Sequence, residues 1–266
     1  MSTVPIEQFD EAPAAGQIAL RSLTIDVGPP HARICAVEGL DLDVPAGQFV
    51  CLLGPSGCGK STLLSAIAGH LPAVRGNIML DNVRVDRPHP DRGLVFQQHT
   101  LFPWKRVIDN VAFGLKMQGV DAALRRRRAQ EMLELVGLKG HASHYPAQLS
   151  GGMQQRVEIA RVLINRPRVL LMDEPFAALD AQTRRNMQAL LLDVWGKVGT
   201  TVIFVTHDIE EALFLGDRIV MLSRQPARIV ADIDVPFERP RTERSTLSPA
   251  FIELKRRCLD LLRDSV

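Results

Sequence analysis

One glycine-rich loop, Gly54–Thr62 with the sequence GPSGCGKST, constrains the fold more than any other part of this 266-residue chain. It follows a short apolar run, FVCLL, and opens an apolar-periodic stretch, TLLSAIAG. A G-x-x-x-x-G-K-S pattern between a strand and a helix is typical of a loop whose backbone N–H groups cradle phosphate oxygens. The lysine of such a loop reaches the β- and γ-phosphates, and the hydroxyl after it ligates Mg²⁺. The residues predicted to hold a nucleoside triphosphate are Gly54, Pro55, Ser56, Gly57, Cys58, Gly59, Lys60, Ser61 and Thr62, with Ser61 also on the metal.

Strand-like and helix-like segments alternate along the chain, which favours an α/β fold. Four apolar runs are predicted as buried strands: Phe49–Leu53, Val169–Met172, Val202–Thr206 and Arg218–Leu222. Between about residues 100 and 163, strand signals are scarce and helical patterns dominate. The predicted fold class is α/β, a P-loop core with a mixed, mainly parallel sheet and an inserted helical lobe.

Three segments are expected along the chain. Residues 1–17 are polar and acidic without a signal-peptide core, so a flexible leader is expected there. The nucleotide-binding domain is expected over 18–236, with the helical lobe at about 100–163. The Pro- and charge-rich sequence after Pro226 predicts an extended segment, and residues 237–266 are expected to be a tail that ends in one amphipathic helix.

Charge and cysteine usage argue against several classes of protein. Lys and Arg number 32 against 30 Asp and Glu, a balance unlike the basic bias of a nucleic-acid binder. The four cysteines form no CxxC pair, so neither a disulfide framework nor a zinc site is predicted, and Cys58 is interpreted as a small filler. The run Arg125–Arg128 is either a patch for acidic partners or a solvated helix face, and we favour the latter. No apolar run approaches the ~20 residues of a membrane-spanning helix.

Two adjacent carboxylates end another apolar run, VLLMDEP at 169–175. Consecutive side chains of a strand point to opposite sides, so Asp173 and Glu174 are not expected to do the same job. Asp173 at a strand end beside the glycine-rich loop suits Mg²⁺, directly or through a water. One carboxylate then holds the metal, and the other is left to orient or deprotonate a water.

Two further polar side chains follow apolar strands. Gln97, in LVFQQ, can bind metal or water through its amide oxygen, and it can equally be a plain loop residue. His207, in VIFVTHD, either takes part in chemistry or stands at a helix start that Thr206 or Asp208 caps. The residues alone leave both alternatives open.

A second glycine-rich segment, LSGGMQQRVEIA at 149–160, has no group in its Ser-Gly-Gly turn that can attack, protonate or ligate. Ser150, Gly151 and Gly152 are predicted to lie where a helix begins, because apolar residues recur after them at helical spacing. A helix start presents unpaired N–H groups and a positive dipole end, which suits an anion; the alternative is an ordinary Gly-rich turn. The apolar residues that set the spacing are Met153, Val157, Ala160 and Ile164.

Taken in order, these motifs resemble those of the nucleotide-binding subunits of ABC transporters. GPSGCGKST, VFQQ, LSGGMQQR, VLLMDEP, AALD and VTHD succeed one another as in that family, within about residues 18–236. The resemblance implies that Ser150, Gly151 and Gly152 of one subunit bind the γ-phosphate of the nucleotide held by a second subunit. It also implies that Asp180, in AALD, lies at the seam of this head-to-tail dimer.

The resemblance also implies roles around ATP and Mg²⁺, the two expected cofactors. Glu174 would be the general base, and His207 would contact the γ-phosphate. One position departs from the family pattern, since Val27 stands near the place of the aromatic that usually stacks on adenine, and only apolar contact with the base is expected there. The remaining roles would fall to Lys60, Ser61 and Thr62 on phosphates and magnesium, Asp173 in support of the metal, and Gln97 on magnesium and the attacking water.

Two longer segments, TLFPWKRVIDNVAFGL and FVTHDIEEALFLGDRIVMLS, are similar to the ATPases of nitrate, sulfonate and taurine importers. The resemblance implies a peripheral ATPase at the cytoplasmic face of the cell (inner) membrane that powers uptake of a small anionic solute. Expected partners are a second ATPase subunit, either an identical copy or a different chain, transmembrane permease subunits and, indirectly, a solute-binding protein, but no nucleic acid. Phe102 and Trp104, in LFPW, either meet a helix of the membrane subunit or pack inside the helical lobe.

Other functions fit parts of the pattern. A soluble ABC ATPase acting in DNA maintenance shares every phosphate motif, but it should carry a long coiled-coil insertion or a basic groove, which the sequence lacks. A binding module with a dead ATPase site is disfavoured by the intact Lys60, Asp173, Glu174 and His207. An exporter ATPase is disfavoured by the resemblance of VIDNVAFGL and DIEEALFLGDR to importers.

Overall fold

The computed structural model describes residues 16–264, so the predicted leader lies outside the described residues apart from Gly16 and Gln17. Within that range the chain forms ten strands, nine α-helices and two short 3-10 turns. The strands are β1 Ile18–Val27, β2 Ile34–Val44, β3 Phe49–Leu53, β4 Arg75–Leu80, β5 Val83–Arg84, β6 Arg92–Val95, β7 Val169–Asp173, β8 Thr201–Thr206, β9 Arg218–Leu222 and β10 Ile229–Asp234.

The helices follow the loops between these strands, and most of them lie between β6 and β9. The two 3-10 turns, at Lys139–His141 and Pro146–Gln148, precede the helix that starts at the second glycine-rich segment. The α-helices are α1 Lys60–Ile67, α2 Val107–Val111, α3 Phe113–Met117, α4 Ala122–Leu135, α5 Gly151–Leu163, α6 Ala181–Val198, α7 Ile209–Leu215, α8 Glu243–Thr246 and α9 Pro249–Asp264.

A six-stranded sheet with the order β10–β9–β3–β8–β7–β6 forms the centre of the molecule. Neighbouring strands from β9 to β6 run parallel, and β10 pairs antiparallel with β9. The predicted α/β class with a mixed, mainly parallel sheet is therefore confirmed. All four apolar runs predicted as strands lie in this sheet, as β3, β7, β8 and β9.

A separate antiparallel sheet of four strands, in the order β2–β1–β4–β5, was not foreseen from the sequence. Its pairing is irregular, since the register of β1 against β2 shifts between Leu20 and Leu23 and again between Leu23 and Ile25. Ser22 within this irregularity has a left-handed φ of 45°. Such bulges interrupt the period-two alternation that marks a strand in a sequence.

Alternate side chains of β3 enter two different apolar clusters. Phe49, Cys51 and Leu53 pack with residues of the helices α2–α7 and α9. Val50 and Leu52 pack with α1 and with residues of both sheets. A strand that is apolar on both faces is typical of a buried parallel sheet, and its burial fixes where the glycine-rich loop begins.

The chain between β6 and β7 is mainly helical. Within the described residues it contains α2–α5 and the two 3-10 turns.

The sequence suggested that the segment after Pro226 is extended, but this segment contains β10 and the short helix α8. Helix α8 begins after Thr242, whose N–H donates to Ser245 Oγ at 3.0 Å. The terminal helix is present as α9 and packs on α7. None of the described helices has the length and apolar character needed to span a bilayer.

Candidate functional site

Three groups of predicted site residues lie along one edge of the six-stranded sheet, because the parallel strands β3, β7 and β8 end there together. The register pairs the last residue of β3 with Thr206, the last residue of β8, and pairs Asp173 of β7 with Val205. The residues that follow these strands are Gly54, which opens the glycine-rich loop, then Glu174 and His207.

The glycine-rich loop leads directly into α1, which has Gly59 as its N-cap. The Leu63 N–H donates to Gly59 O at 2.8 Å, and the N–H groups before Leu63 come too early in the helix to have such a partner. Gly59 has a φ of +113°, and a Cβ there would lie 2.6 Å from the Ala36 carbonyl oxygen, so only glycine fits. The loop thus presents backbone donors and a positive helix end, as an anion site requires.

The Lys60 side chain folds back beneath the loop and is only 4% exposed. Its ammonium donates to Gly54 O at 2.7 Å and to Pro55 O at 2.8 Å. Carbonyl groups satisfy the hydrogens of a buried ammonium but do not neutralise its charge, so this position favours an incoming phosphate. Cys58 is buried beside the ammonium, and burial raises the pKa of its thiol, which agrees with a neutral filler.

Ser61 and Asp173 bring two oxygen atoms together at the start of α1. The Ser61 hydroxyl donates to Asp173 Oδ1 at 3.0 Å. Burial raises the pKa of Asp173, although the hydrogen bond from Ser61 opposes this shift, and a bound cation would offset the burial of the carboxylate. Hydroxyl and carboxylate oxygens fit Mg²⁺. Since no group of three His, Cys, Asp or Glu side chains in residues 16–264 could hold a metal, further oxygens would have to come from another kind of side chain, such as the Gln97 amide, from phosphate or from water.

Glu174 and His207 are in direct contact, with His207 Nδ1 at 2.8 Å from Glu174 Oε2. An ionised carboxylate can only accept a hydrogen bond, so the ring nitrogen is the donor. The Glu174 side chain is 17% exposed, and its backbone has a left-handed φ of 42°, which costs a non-glycine residue about 1–2 kcal/mol. Strain of this kind concentrates at functional sites.

The helix after His207 is capped by Asp208, one of the two caps that the sequence suggested. The Asp208 carboxylate accepts from Glu210 N–H at 2.8 Å and from Glu211 N–H at 3.2 Å. His207 is not needed to start α7, and its side chain is 56% exposed.

Gln97 and Val27 lie on elements at the margins of this arrangement. Gln97 follows β6 by two residues and is exposed, and the pairing of Val95 with Met172 puts it on the same strand edge as Asp173. Val27 is the last residue of β1 and pairs with Ile34 of β2, which is 57% exposed. The position where the family usually has an aromatic therefore carries aliphatic surface.

The second glycine-rich segment begins α5, as predicted. Ser150 is the N-cap, and its hydroxyl accepts from the N–H of the third helical residue at 3.3 Å. Asp180 caps α6 in the same way, accepting from Thr183 N–H at 3.0 Å. The two helix starts are packed together, because a Cβ at Gly152 would lie 2.6 Å from Thr183 Cγ2. Ser150 and Gly151 are exposed.

A buried polar cluster beside His207 was missed by the sequence analysis. Glu211 of α7 is 6% exposed and accepts from the Thr206 hydroxyl at 2.6 Å and from Gln188 Nε2 of α6 at 2.9 Å. Burial raises the pKa of Glu211, while both hydrogen bonds oppose the shift. The available signal was a carboxylate on the apolar face of α7, next to the buried Ala212.

Known proteins are similar to this chain in sequence and in fold. The sequence profile of the ABC transporter family matches residues 37–177. The chain is 52% identical over 225 residues to the taurine import ATP-binding protein TauB of Rhizobium johnstonii, covering 83% of this chain and 86% of that protein. It is 43% identical over 237 residues to the nitrate import ATP-binding protein NrtD of Synechococcus elongatus, covering 88% and 86%.

A solved structure is also similar to this chain in its fold. The ATP-binding cassette MJ0796, a dimer in a post-hydrolysis state with ADP and Pi, is 34% identical to this chain. Its TM-score is 0.73, and the match covers 83% of this chain and 100% of that one. The chain therefore belongs to the ABC transporter family, as one of its nucleotide-binding ATPase subunits.

Proposed function

We propose that the chain binds Mg-ATP at the glycine-rich loop, hydrolyses it in a head-to-tail dimer, and thereby drives import of a small anionic solute of the nitrate, sulfonate or taurine class. The observation that carries the proposal is the 2.8 Å contact between Glu174 and His207 beside the glycine-rich loop. It joins a carboxylate that can accept a proton from water to a histidine, next to a site suited to phosphate.

The glycine-rich loop and Lys60 would hold the triphosphate. Phosphoryl transfer spreads negative charge over the γ-phosphate oxygens, and donors that are already fixed stabilise it without rearranging. Lys60 would exchange its two carbonyl acceptors for phosphate oxygens. When bound by Ser61, Asp173 and Gln97, Mg²⁺ would supply further positive charge against the phosphates.

Glu174 would act as the general base and His207 as a contact to the γ-phosphate. A neutral imidazole that donates its Nδ1 hydrogen to Glu174 has only a lone pair at Nε2. A phosphate oxygen also only accepts, so His207 must either gain a second proton or release Glu174 before it can donate to the nucleotide. Release would also free the carboxylate to accept a proton from the attacking water.

The Ser150–Gly152 turn would complete the site of a second subunit. Its N–H groups are carried by a helix start with two exposed residues, which fits an anion that arrives from outside the chain. MJ0796 is dimeric in its solved structure, which supports a dimer here. Asp180 would lie at the seam, since its helix start packs against Gly152.

The cavity beside Trp104, in the region between β6 and α4, would receive a segment of a membrane permease. Trp104 is 71% exposed, whereas Phe102 is half-buried with its ring 4.7 Å from that of Phe113. A cavity of about 390 Å³ beside Trp104 is lined by basic residues including Lys105 and Arg106. A large exposed aromatic next to a cavity is typical of an interaction site.

The chain would then work as a peripheral subunit on the cytoplasmic face of the cell membrane, and a solute-binding protein would contact it only through the permease. Taurine and nitrate appear in the names of the importers to which TauB and NrtD belong. Both solutes carry a small anionic group, which supports the proposed solute class.

Glu174→Gln tests the proposed chemistry. The amide keeps the size of the side chain but cannot take a proton, so ATP turnover should fall about 10²–10⁴-fold while ATP binding is kept. Phosphate release and equilibrium binding of ATP measure the two quantities. Glu134→Gln, an exposed carboxylate of α4 paired with Lys139, is the matched control. Normal turnover of Glu174→Gln would remove the assigned role.

The solute is tested separately by transport. Membrane vesicles that contain the complete complex, with ATP on the side of this chain, should accumulate labelled taurine, another sulfonate or nitrate. Accumulation should stop when the complex carries Glu174→Gln. ATP-dependent uptake only of solutes that lack an anionic group would reject the solute class and leave the ATPase proposal intact.

A further inference from the structure

Hydrogen bonds of the two residues that flank His207, Thr206 and Asp208, hold the turn that carries the histidine. Thr206 donates its hydroxyl hydrogen to Glu211 Oε2 at 2.6 Å. The same hydroxyl oxygen accepts from the Asp208 N–H at 3.0 Å. One buried carboxylate thus fixes the Thr206 rotamer, and that hydroxyl in turn fixes the backbone just after the histidine.

The carboxylate is itself held by a different helix. Gln188 of α6 is 8% exposed and donates to Glu211 Oε1 at 2.9 Å. A second link joins the same two elements, since Arg184 Nη1 of α6 lies 3.9 Å from Asp208 Oδ2. Because Asp180 is the N-cap of α6, one helix runs from the proposed dimer seam to the support of His207.

A small cavity of about 40 Å³ lies between this support and the Glu174–His207 pair. Its lining includes Glu174, Thr206, His207 and Glu211. The buried hydrogen bonds therefore border the proposed chemistry directly. A buried carboxylate is costly unless its oxygens are paired, and both oxygens of Glu211 are paired with donors on the flanking elements.

We propose that Gln188 and Glu211 are positioning residues, which hold His207 in place through Thr206 and tie its turn to α6. This inference rests on the proposed role of His207 in ATP hydrolysis. Removal of either side chain would leave the His207 ring present but free to take orientations that do not serve the reaction. The effect should fall on turnover more than on ATP binding, since neither residue lies in the glycine-rich loop.

The first measurement compares two variants of similar side-chain volume. Gln188→Met and Glu211→Met each remove the bond between α6 and α7, and each should lower kcat about tenfold while KM for ATP changes less than about twofold. Glu211→Gln should recover most of the activity, because its amide oxygen can accept from Thr206 and the Gln188 amide can turn to accept from it. Urea unfolding midpoints establish that each variant is folded at the assay temperature.

The second measurement separates positioning from general loosening. On a His207→Ala background there is no ring to position, so Gln188→Met should change the remaining kcat less than about twofold. A merely structural role would lower kcat by the same factor on both backgrounds. Glu210→Met is the matched control on the same helix, because Glu210 is exposed and paired with Lys255, and its kcat should equal that of the unaltered chain.

The outcomes separate this inference from the proposed function. The positioning role would be overturned, while the role of His207 stands, by either of two results. One is an unaltered kcat in Gln188→Met; the other is that Gln188→Met lowers kcat by the same factor in the unaltered chain and in His207→Ala. Unaltered kcat in His207→Ala would overturn the role of His207 and this inference with it. A tenfold fall that disappears on the His207→Ala background supports both.

Discussion

The glycine-rich loop and the Ser150–Gly152 turn both present a helix start to an anion, yet they are built very differently. The loop lies at the end of a strand whose five residues are all buried, and its lysine is 4% exposed. The Ser150–Gly152 turn follows the 3-10 turn at Pro146–Gln148, and its first two residues are exposed. The loop contains a buried charge and lies beside the Glu174–His207 pair, whereas the turn offers a hydroxyl and backbone groups.

This difference teaches that one region can carry chemistry and the other can only complete a site. Reactive side chains need fixed neighbours, and the strand ends supply them. Backbone N–H groups are fixed by the helix itself, so the turn needs only to be accessible. A substitution in the loop should then impair ATP binding by a single subunit, whereas a substitution in the turn should impair only the ATP-bound dimer.

The largest effect is expected for Lys60→Ala, which removes the buried charge from the loop. Loss of one partner from a buried charged pair costs about 2–5 kcal/mol, so ATP should bind to the monomer more weakly by a factor of about 30 to 4,000. Equilibrium dialysis or calorimetry measures the affinity. Lys197→Ala, an exposed lysine of α6 paired with Asp193, is the control. Unchanged ATP affinity in Lys60→Ala would break the comparison at its stronger side.

Ser150→Arg should leave monomer binding intact and act only on the pair. An unpaired charge forced into the closed seam should raise the dissociation constant of the ATP-bound dimer about 10²-fold. Sedimentation with ATP on a Glu174→Gln background, where hydrolysis does not reopen the dimer, measures this constant. Asp121→Ala removes an N-cap from α4, a helix outside the proposed seam, and controls for cap loss. Ready dimerisation of the arginine variant would mean that the turn faces no partner.

The same contrast explains what the sequence could predict. Motifs held by a buried strand and a following helix were readable, because both ends carry strong apolar periodicity. The strands β3, β7, β8 and β9, the start of α1 and the start of α5 were all placed correctly. Local signals sufficed there, since each group is positioned by residues close to it in sequence.

Long-range contacts were not readable. Glu174 and His207 are 33 residues apart, and Gln188 and Glu211 are 23 apart, so only the fold brings them together. The antiparallel sheet was missed because bulges such as that at Ser22 break its pattern. A helix position that is polar where its neighbours are buried, as at Glu211, is the one trace that such contacts leave in a sequence.

A smaller effect is expected where the C-terminal tail contacts the end of α7, the helix that follows His207. Arg241 is 6% exposed, donates to backbone carbonyls including Leu213 O and Gly216 O at the end of α7, and burial lowers its pKa to about 10. Arg241→Met should lower the free energy of unfolding by about 2 kcal/mol, because buried carbonyls lose their donors. Urea unfolding measures it, with the exposed Arg256→Met as control. Equal stabilities would show that the tail does not brace α7.

The smallest effect is a pair of opposite pH dependences in the two regions. Burial raises the pKa of Asp173 above its ordinary 3.8, whereas hydrogen bonds from Thr183 lower the pKa of Asp180 below 3.8. Asp173 therefore contributes stability that is full below pH 3.8 and is lost as pH rises through its raised pKa. Asp180 contributes stability that is full above pH 3.8 and is lost as pH falls through its lowered pKa.

Asparagine variants expose this difference because an amide does not titrate. Relative to the unaltered chain, nucleotide-free Asp173→Asn should gain stability as pH rises from about 4 to 7, since the penalty for a buried charge is absent. Asp180→Asn, which keeps a good N-cap, should show its largest deficit at neutral pH and a smaller one below pH 3.8. Urea midpoints across this range measure both slopes. If the stability differences of the two variants changed with pH in the same direction, the two carboxylates would have similar surroundings. The contrast between the glycine-rich loop region, with Asp173, and the Ser150–Gly152 region, with Asp180, would then fail.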